Sequence, residues 1–171
     1  MNSSKKTRAA AAPAKVDLCC GRGKPEGFFG VDLAPGPGVD LVHDLNTGFP
    51  FEDSSVEVLR AHDAIEHLPD RLATMNEIWR VCRDGAVVDI KVPSTDGRGA
   101  FQDPTHVSYW NINSFAYYSS DFPNYFEQCR RYGFKGDFRI QRLYDIGTRD
   151  SVIHTVAQLL VRKTQAAARG A

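Results

Sequence analysis

"VDLCCGRGKPEGFFGVDL", residues 16–33, is the stretch whose reading decides the fold. An apolar run from Lys15 to Cys20 meets the turn Gly21-Arg22-Gly23, and a second run, Phe28 to Leu33, carries Asp32 near its end. Short apolar runs bounded by glycines read as buried strands. Glycines let a backbone approach a ligand closely and expose its amide N–H groups. An acid at the end of the second strand is placed to accept both hydroxyls of a ribose. The stretch therefore reads as the edge of a nucleoside-binding sheet, with two irregularities. Cys19 stands where a first loop glycine is expected; it is read as lying inside the first strand, with Gly21 and Gly23 making the turn. Only residues 21–27 link the strands, which leaves no room for a helix. Fully extended they span roughly 23–25 Å, enough to run back along a short strand and keep a parallel pair.

Working outward, "PGPGVD" is a turn cluster and residues 39–45 form a third strand-like run, followed by a polar loop. Residues 56–63 alternate and read as a strand. Asp70 is placed to cap a helix in which Leu72, Met75, Ile78, Trp79 and Cys82 recur at helical spacing, with Gly85 as its stop. Residues 86–93 are the next strand, ended by Pro93. A weaker helix is expected across 113–133. The runs 137–147 and 151–163, separated by the polar turn "TRD", should pair as an antiparallel hairpin. Alternating strands and crossovers specify an α/β fold whose sheet is mostly parallel with an antiparallel last strand. With the helix between strands 1 and 2 missing, one sheet face is expected to expose apolar surface, to be covered by a second copy or another partner.

The chain has 171 residues, enough for one domain, placed at 15–165 between a disordered leader (1–14) and a disordered tail (166–171). The leader is basic and alanine-rich without an apolar core, so it is not a secretory signal; a disordered leader is preferred to a fragment of an organelle-targeting peptide. An apolar content of 42% and a formal net charge of +0 argue against disorder and against nucleic acid as partner. No apolar stretch approaches the ~20 residues needed to cross a bilayer. Cys19, Cys20, Cys82 and Cys129 form no C-x-x-C pair. They fit buried thiols in a reducing cytoplasm better than a disulfide frame or a zinc site.

Ligands of open α/β sheets lie at the carboxyl ends of the strands. There the sequence places Gly21-Arg22-Gly23, Asp32, Asp44, His62-Asp63 and Ser94-Thr95-Asp96. Leu33 and Leu45, beside two of the acids, are placed to sandwich a flat base, and Asp44 to take the exocyclic amine of adenine. Each aspartate alone has a plainer reading, since aspartate is common where strands enter turns. Three at successive strand ends beside a glycine turn make a pattern.

The ordered set "VDLCCGRG", "GVDL", "VHDLNTGFPFEDSSVEVLRAHDAIEHLPD" and "MNEIWRVCRDGAVVDIKVP" resembles the class I S-adenosylmethionine-dependent methyltransferases, in particular their type 11-like bacterial branch. The resemblance runs from Lys15 to Pro93 and more loosely to the closing hairpin. It implies a Rossmann-like seven-stranded sheet with its last strand antiparallel, and S-adenosyl-L-methionine as cofactor. It implies that Asp17 and the Gly21–Gly23 turn face the methionine part, Asp32 the ribose, and Asp44-Leu45 the adenine. His62-Asp63 would lie beneath the sulfonium. The chain departs from the family at Cys19, at "CRDGA" in place of the usual "LKPGG", and in the missing helix. The expected activity is O- or N-methylation of a small-molecule or glycan acceptor. The alternatives are a non-catalytic cofactor-binding scaffold or regulatory subunit and, less well supported, a nicotinamide enzyme.

Removing the acceptor's proton suits histidine, whose unperturbed pKa is about 6.5. His67 follows strand 4, and His106, in "QDPTHVSYW", lies in the loop after strand 5. Asp63 and Asp103 are placed to position or deprotonate an acceptor. The competing reading of Glu66-His67 is a packed helix-start element. A metal reading of Asp96, Asp103 and His106 is set aside, because hard-metal sites need more convergent carboxylates. Phe101, Tyr109, Trp110, Phe115, Tyr117, Tyr118 and Phe122 form either a cap over the sheet or an acceptor pocket.

Overall fold

The computed structural model describes residues 13–147 and 150–163; most of the expected leader, the expected tail and residues 148–149 of the hairpin turn lie outside them. Just before the first strand, the Ala14 carbonyl accepts from Glu57 and Val58 N–H at 2.8 and 3.0 Å.

The first pair forms as the opening stretch requires. Strands β1 (Lys15–Leu18) and β2 (Phe29–Asp32) run parallel, with Asp17 opposite Gly30. Strand β3 is only Leu41–Val42, shorter than the expected 39–45, and β4 is Val56–His62. Helix α1 (Arg71–Val81) starts at Asp70, whose side chain accepts from Ala73 N at 2.9 Å. It does not continue to Gly85. Cys82 is fully buried opposite Val56, so the chain extends there and β5 runs Cys82–Pro93. Helix α2 (Gly99–Gln102) is short and was not anticipated. The expected 113–133 helix divides into a 3-10 segment, Ile112–Tyr118, and α3 (Pro123–Arg131), because Pro123 has no N–H and can enter a helix only in its first turn. Strands β6 (Phe138–Gly147) and β7 (Ile153–Val161) make the expected hairpin.

All strands join one 7-stranded sheet in the order β3-β2-β1-β4-β5-β7-β6, and β7 is antiparallel to both neighbours. Strand alternation sends Val16, Leu18, Leu59, Ala61, Val88, Ile90 and Leu159 to one face. There they pack with Met75, Ile78 and Val81 of α1 and with Phe115, Phe134 and Phe138. Each such fully buried side chain contributes about 1.5–3 kcal/mol.

The opposite face, which no helix between β1 and β2 covers, carries charged as well as apolar side chains. Asp17, Arg60, Asp89 and Gln158 stand side by side in register, forming an ionic row. The adjacent row, Val58, Val87 and Leu160, is apolar and half-buried, and Val156, Tyr144 and Ile146 add apolar surface to the same face, the last two 46% and 42% exposed. The face is thus mixed, charged along its middle row and apolar on either side of it.

Candidate cofactor and acceptor site

Strand β1 stops at Leu18, so Cys19 is not inside it; the residue adopts a left-handed backbone (φ 49°) and begins the turn itself. Cys20 is buried, and its N–H donates to the Val31 carbonyl at 3.1 Å. Gly21 is also left-handed (φ 51°), a conformation that favours glycine. Its N–H donates to Asp32 Oδ2 at 2.9 Å, and Ala34 N–H donates to Asp32 Oδ1 at 3.2 Å. Asp32 thus ties the glycine turn to the carboxyl end of β2, and each oxygen keeps a lone pair for a further donor. Gly23 is open on its Cβ side, with nothing within 4 Å.

The short link replaces the missing helix by folding over β2. Lys24 forms an ion pair with Asp40, whose Oδ2 also accepts Gly30 N–H at 2.7 Å. A Cβ on Gly30 would lie against the Gly38 carbonyl oxygen and 2.6 Å from Cys20 Sγ, so the link crosses this glycine in close contact.

Next to Asp32, Leu33 is 70% exposed, a free apolar surface. Leu45 is buried in the core, and Asp44 caps the 3-10 segment Leu45–Thr47 by accepting from Asn46 N and Nδ2, both at 2.9 Å. Asp17 is completely buried, and both its oxygens accept from Arg60 Nη1 at 2.8 Å. Burial raises the Asp17 pKa, with the Arg60 hydrogen bond and charge opposing.

At the ends of β4 and β5, His62 Nε2 lies 2.8 Å from Asp89 Oδ2, a hydrogen bond that holds the Asp89 carboxyl low against its burial. Asp63 is left-handed (φ 50°), with Oδ2 2.7 Å from Lys91 Nζ and Oδ1 3.1 Å from His154 Nε2. Beyond it, a 3-10 segment, Ile65–His67, brings His67 against the loop after β5. His67 Nδ1 lies 3.2 Å from the Thr105 carbonyl, and His106 Nδ1 3.2 Å from the Ala100 carbonyl. The two imidazoles meet edge to face at 5.0 Å. Asp103 shapes the loop by accepting from Thr105 N and Oγ1 at 2.8 and 2.6 Å.

Sequence reasoning treated Glu66 only as a neighbour of His67. It is 1% exposed, and among the described residues neither carboxylate oxygen has a hydrogen-bond partner. Burial pushes its pKa up to about 7. His106 Nε2 lies 3.9 Å from Glu66 Oε1 and 3.9 Å from Asp103 Oδ2. The Cys19 thiol is pushed up to about 12, by burial first and then by the charges of Asp32 and Glu66. Asp96 does not join His106; its N–H donates to Ser94 Oγ at 3.3 Å.

The aromatic set splits. Trp110, Phe115 and Tyr118 are core, as a cap requires, whereas Phe101 and Tyr109 are exposed with rings 5.2 Å apart. Two concavities, of about 390 and 530 Å³, lie beside α3 and include none of the residues described at the strand ends. Among the described residues no helix is long and apolar enough to cross a membrane.

Residues 31–89 match the sequence model of a family described as "Methyltransferase domain". No curated protein sequence matches the chain. In fold, the chain is similar to the YcgJ protein of Bacillus subtilis (TM-score 0.58, 11% identity, 89% of this chain and 94% of that one). It is similar to a SAM-dependent methyltransferase of Methanosarcina mazei (TM-score 0.55, 14% identity, 90% and 93%). It is also similar to phosphoethanolamine N-methyltransferase 2 of Haemonchus contortus in complex with S-adenosyl-L-methionine (TM-score 0.55, 14% identity, 91% and 50%).

Proposed function

The chain is built on the fold of the class I S-adenosylmethionine-dependent methyltransferases, and from that premise we propose that it transfers a methyl group from S-adenosyl-L-methionine to a hydroxyl or amine of a small-molecule or glycan acceptor. The observation that carries this reading is the Asp32–Gly21 hydrogen bond at 2.9 Å. It holds a glycine turn and an acid with spare lone pairs together where the strand order reverses direction, at β1. Asp32 then takes the ribose hydroxyls, Leu33 one face of the base, and Asp44 its amine. The Gly21–Gly23 turn and the β1 end meet the amino-acid part.

The cofactor supplies the activated carbon. The chain's tasks are to align the acceptor and take up its proton. A carbonyl only accepts, so His67 and His106 each carry their proton on Nδ1 and present a bare Nε2. These are the proton acceptors. Asp63, with both oxygens engaged by Lys91 and His154, positions the end of β4. The exposed rings of Phe101 and Tyr109 offer the acceptor an apolar surface. Four cysteines without a disulfide among the described residues fit a reducing cytoplasm.

Calorimetry tests the reading. S-adenosylmethionine and S-adenosylhomocysteine should both bind, and Asp32→Ala should weaken each by about 1–3 kcal/mol, the scale of hydrogen bonds to a charged group. Preferential binding of a dinucleotide, or unchanged affinity in Asp32→Ala, would overturn it. Cofactor binding without release of S-adenosylhomocysteine across an acceptor panel would favour a non-catalytic scaffold.

A further inference from the structure

We propose that Glu66, His67 and His106 form a binding site for a divalent transition-metal ion of the zinc class. One ligating atom from each residue lies within 4.8 Å of the others. Three features of the site call for a cation.

The first is Glu66. It is 1% exposed, and neither of its oxygens has a hydrogen-bond partner among the described residues. Buried carboxylates are ordinarily paired or bound to metals, because an isolated one is costly to desolvate.

The second is the state of the imidazoles. His106 Nδ1 faces the Ala100 carbonyl, and His67 Nδ1 faces the Thr105 carbonyl and hydroxyl, the latter already donating to Asp103, so the arrangement favours a proton on each Nδ1 and a lone pair on each Nε2. His106 Nε2 therefore faces Glu66 Oε1, 3.9 Å away, as one acceptor facing another. That separation is too long for a hydrogen bond and short enough to share an ion. Backbone carbonyls on the distal nitrogen are also the customary support of metal-bound histidine, orienting the ring and raising its basicity.

The third is rigidity without the ion. Val107 and Ser108 N–H groups both donate to the Glu66 carbonyl, at 2.9 and 3.0 Å, and Ser108 Oγ donates to the Ile65 carbonyl at 2.9 Å. The two segments that carry the ligands are thereby held together.

Two imidazoles and one carboxylate select zinc, iron(II), cobalt or nickel over magnesium and calcium, which prefer all-oxygen sets. Asp103 Oδ2, 3.9 Å from His106 Nε2, stands at the rim, where a fourth ligand or a water completes the shell. Ion binding does not depend on the methyl-transfer reading. Where both hold, His67 and His106 would hold the ion through Nε2 instead of acting as proton acceptors, and the ion would supply Lewis-acid activation of an acceptor hydroxyl, whose proton would pass to solvent.

The test uses the untagged full chain, stripped with a chelator and titrated with zinc by calorimetry and with cobalt(II) by visible absorption. One ion per chain is expected, with a zinc-dependent rise in melting temperature. Glu66→Gln, His67→Ala and His106→Ala should each weaken binding by at least about tenfold, the lower range even for loss of a supporting group. Asp32→Ala should keep the ion while binding the cofactor more weakly, so failure of this inference is separable from failure of the methyl-transfer reading. Absence of stoichiometric binding by either ion, or equal affinity in Glu66→Gln, would overturn it and leave Glu66 satisfied by a proton or a buried water. Glu66→Gln preserves side-chain volume, so it decides the matter even where a histidine variant fails to fold.

Discussion

Asp17 and Glu66 are both buried acids, and their surroundings give them different roles. Asp17 has a dedicated cation: Arg60 lies opposite it in register and serves both oxygens. Arg60→Met should destabilise the protein by about 3 kcal/mol, the lower end for stranding a buried charge, because Arg60 is itself partly solvated. Urea unfolding measures this, and Asp17→Asn should cost less, since the charge it leaves unpaired, Arg60, reaches solvent. Glu66 has no such partner, which is why it reads as a ligand. Gly30 makes a third point at this scale. Gly30→Ala should destabilise by about 1–3 kcal/mol, the usual cost of overpacking. It should also weaken cofactor binding in calorimetry, because the displaced Cys20 leads directly into Gly21. Asp32 was legible in the sequence because an acid ending an apolar run is a local signal. Glu66 was not, because its burial depends on residues 100–108 returning to cover it.

Helix α1 and the loop before β4 are held together by Arg80. Its guanidinium donates to the Phe49 and Phe51 carbonyls at 3.0 and 2.8 Å, to Asp53 at 2.7 Å, and to both Glu77 oxygens. Glu77 Oε2 in turn accepts Phe49 N–H at 2.8 Å. The Arg80 hydrogen bond holds the Glu77 pKa below its ordinary 4.5, against burial. A depressed folded-state pKa means that the stabilisation is present above the unfolded value and is lost as pH falls through the folded one. Glu77→Gln should therefore cost about 1–2 kcal/mol at neutral pH, and the gap to the parent should close on acidification below pH 4.5. Equal gaps at pH 7 and pH 3 in thermal melts would contradict this assignment. At this scale helical spacing located α1, but its end was misplaced. Gly85 is a valid stop signal, yet pairing of buried Cys82 with Val56 extends the chain earlier.

The whole sheet is uneven. Strands β5 and β7 pair through seven consecutive positions, from Val87 with Leu160 to Pro93 with His154, whereas β3 contributes only Leu41–Val42. Hydrogen exchange should accordingly be slowest in β5 and β7 and fastest at the β3–β2 edge. Addition of S-adenosylhomocysteine should slow exchange at the ends of β1 and β2, where the proposed cradle lies; protection confined to α3 and its concavities would move the site there. The mixed ionic face also belongs to this scale. A missing helix was visible as a seven-residue link, but the character of the face it uncovers was set by which alternate residues the sheet turns outward.

The sequence by itself determined the α/β class, the parallel β1–β2 pair without a helix, the antiparallel closing hairpin and the acids at successive strand ends. These follow from periodicity, chain length and turn chemistry, which act over a few residues. Only the tertiary structure decided that Cys19 turns rather than extends, that the open face is mixed, and that Glu66 meets His67 and His106. Those outcomes depend on strand register and on a loop that returns across about forty residues, so they are set by packing between segments that carry no local signal of one another.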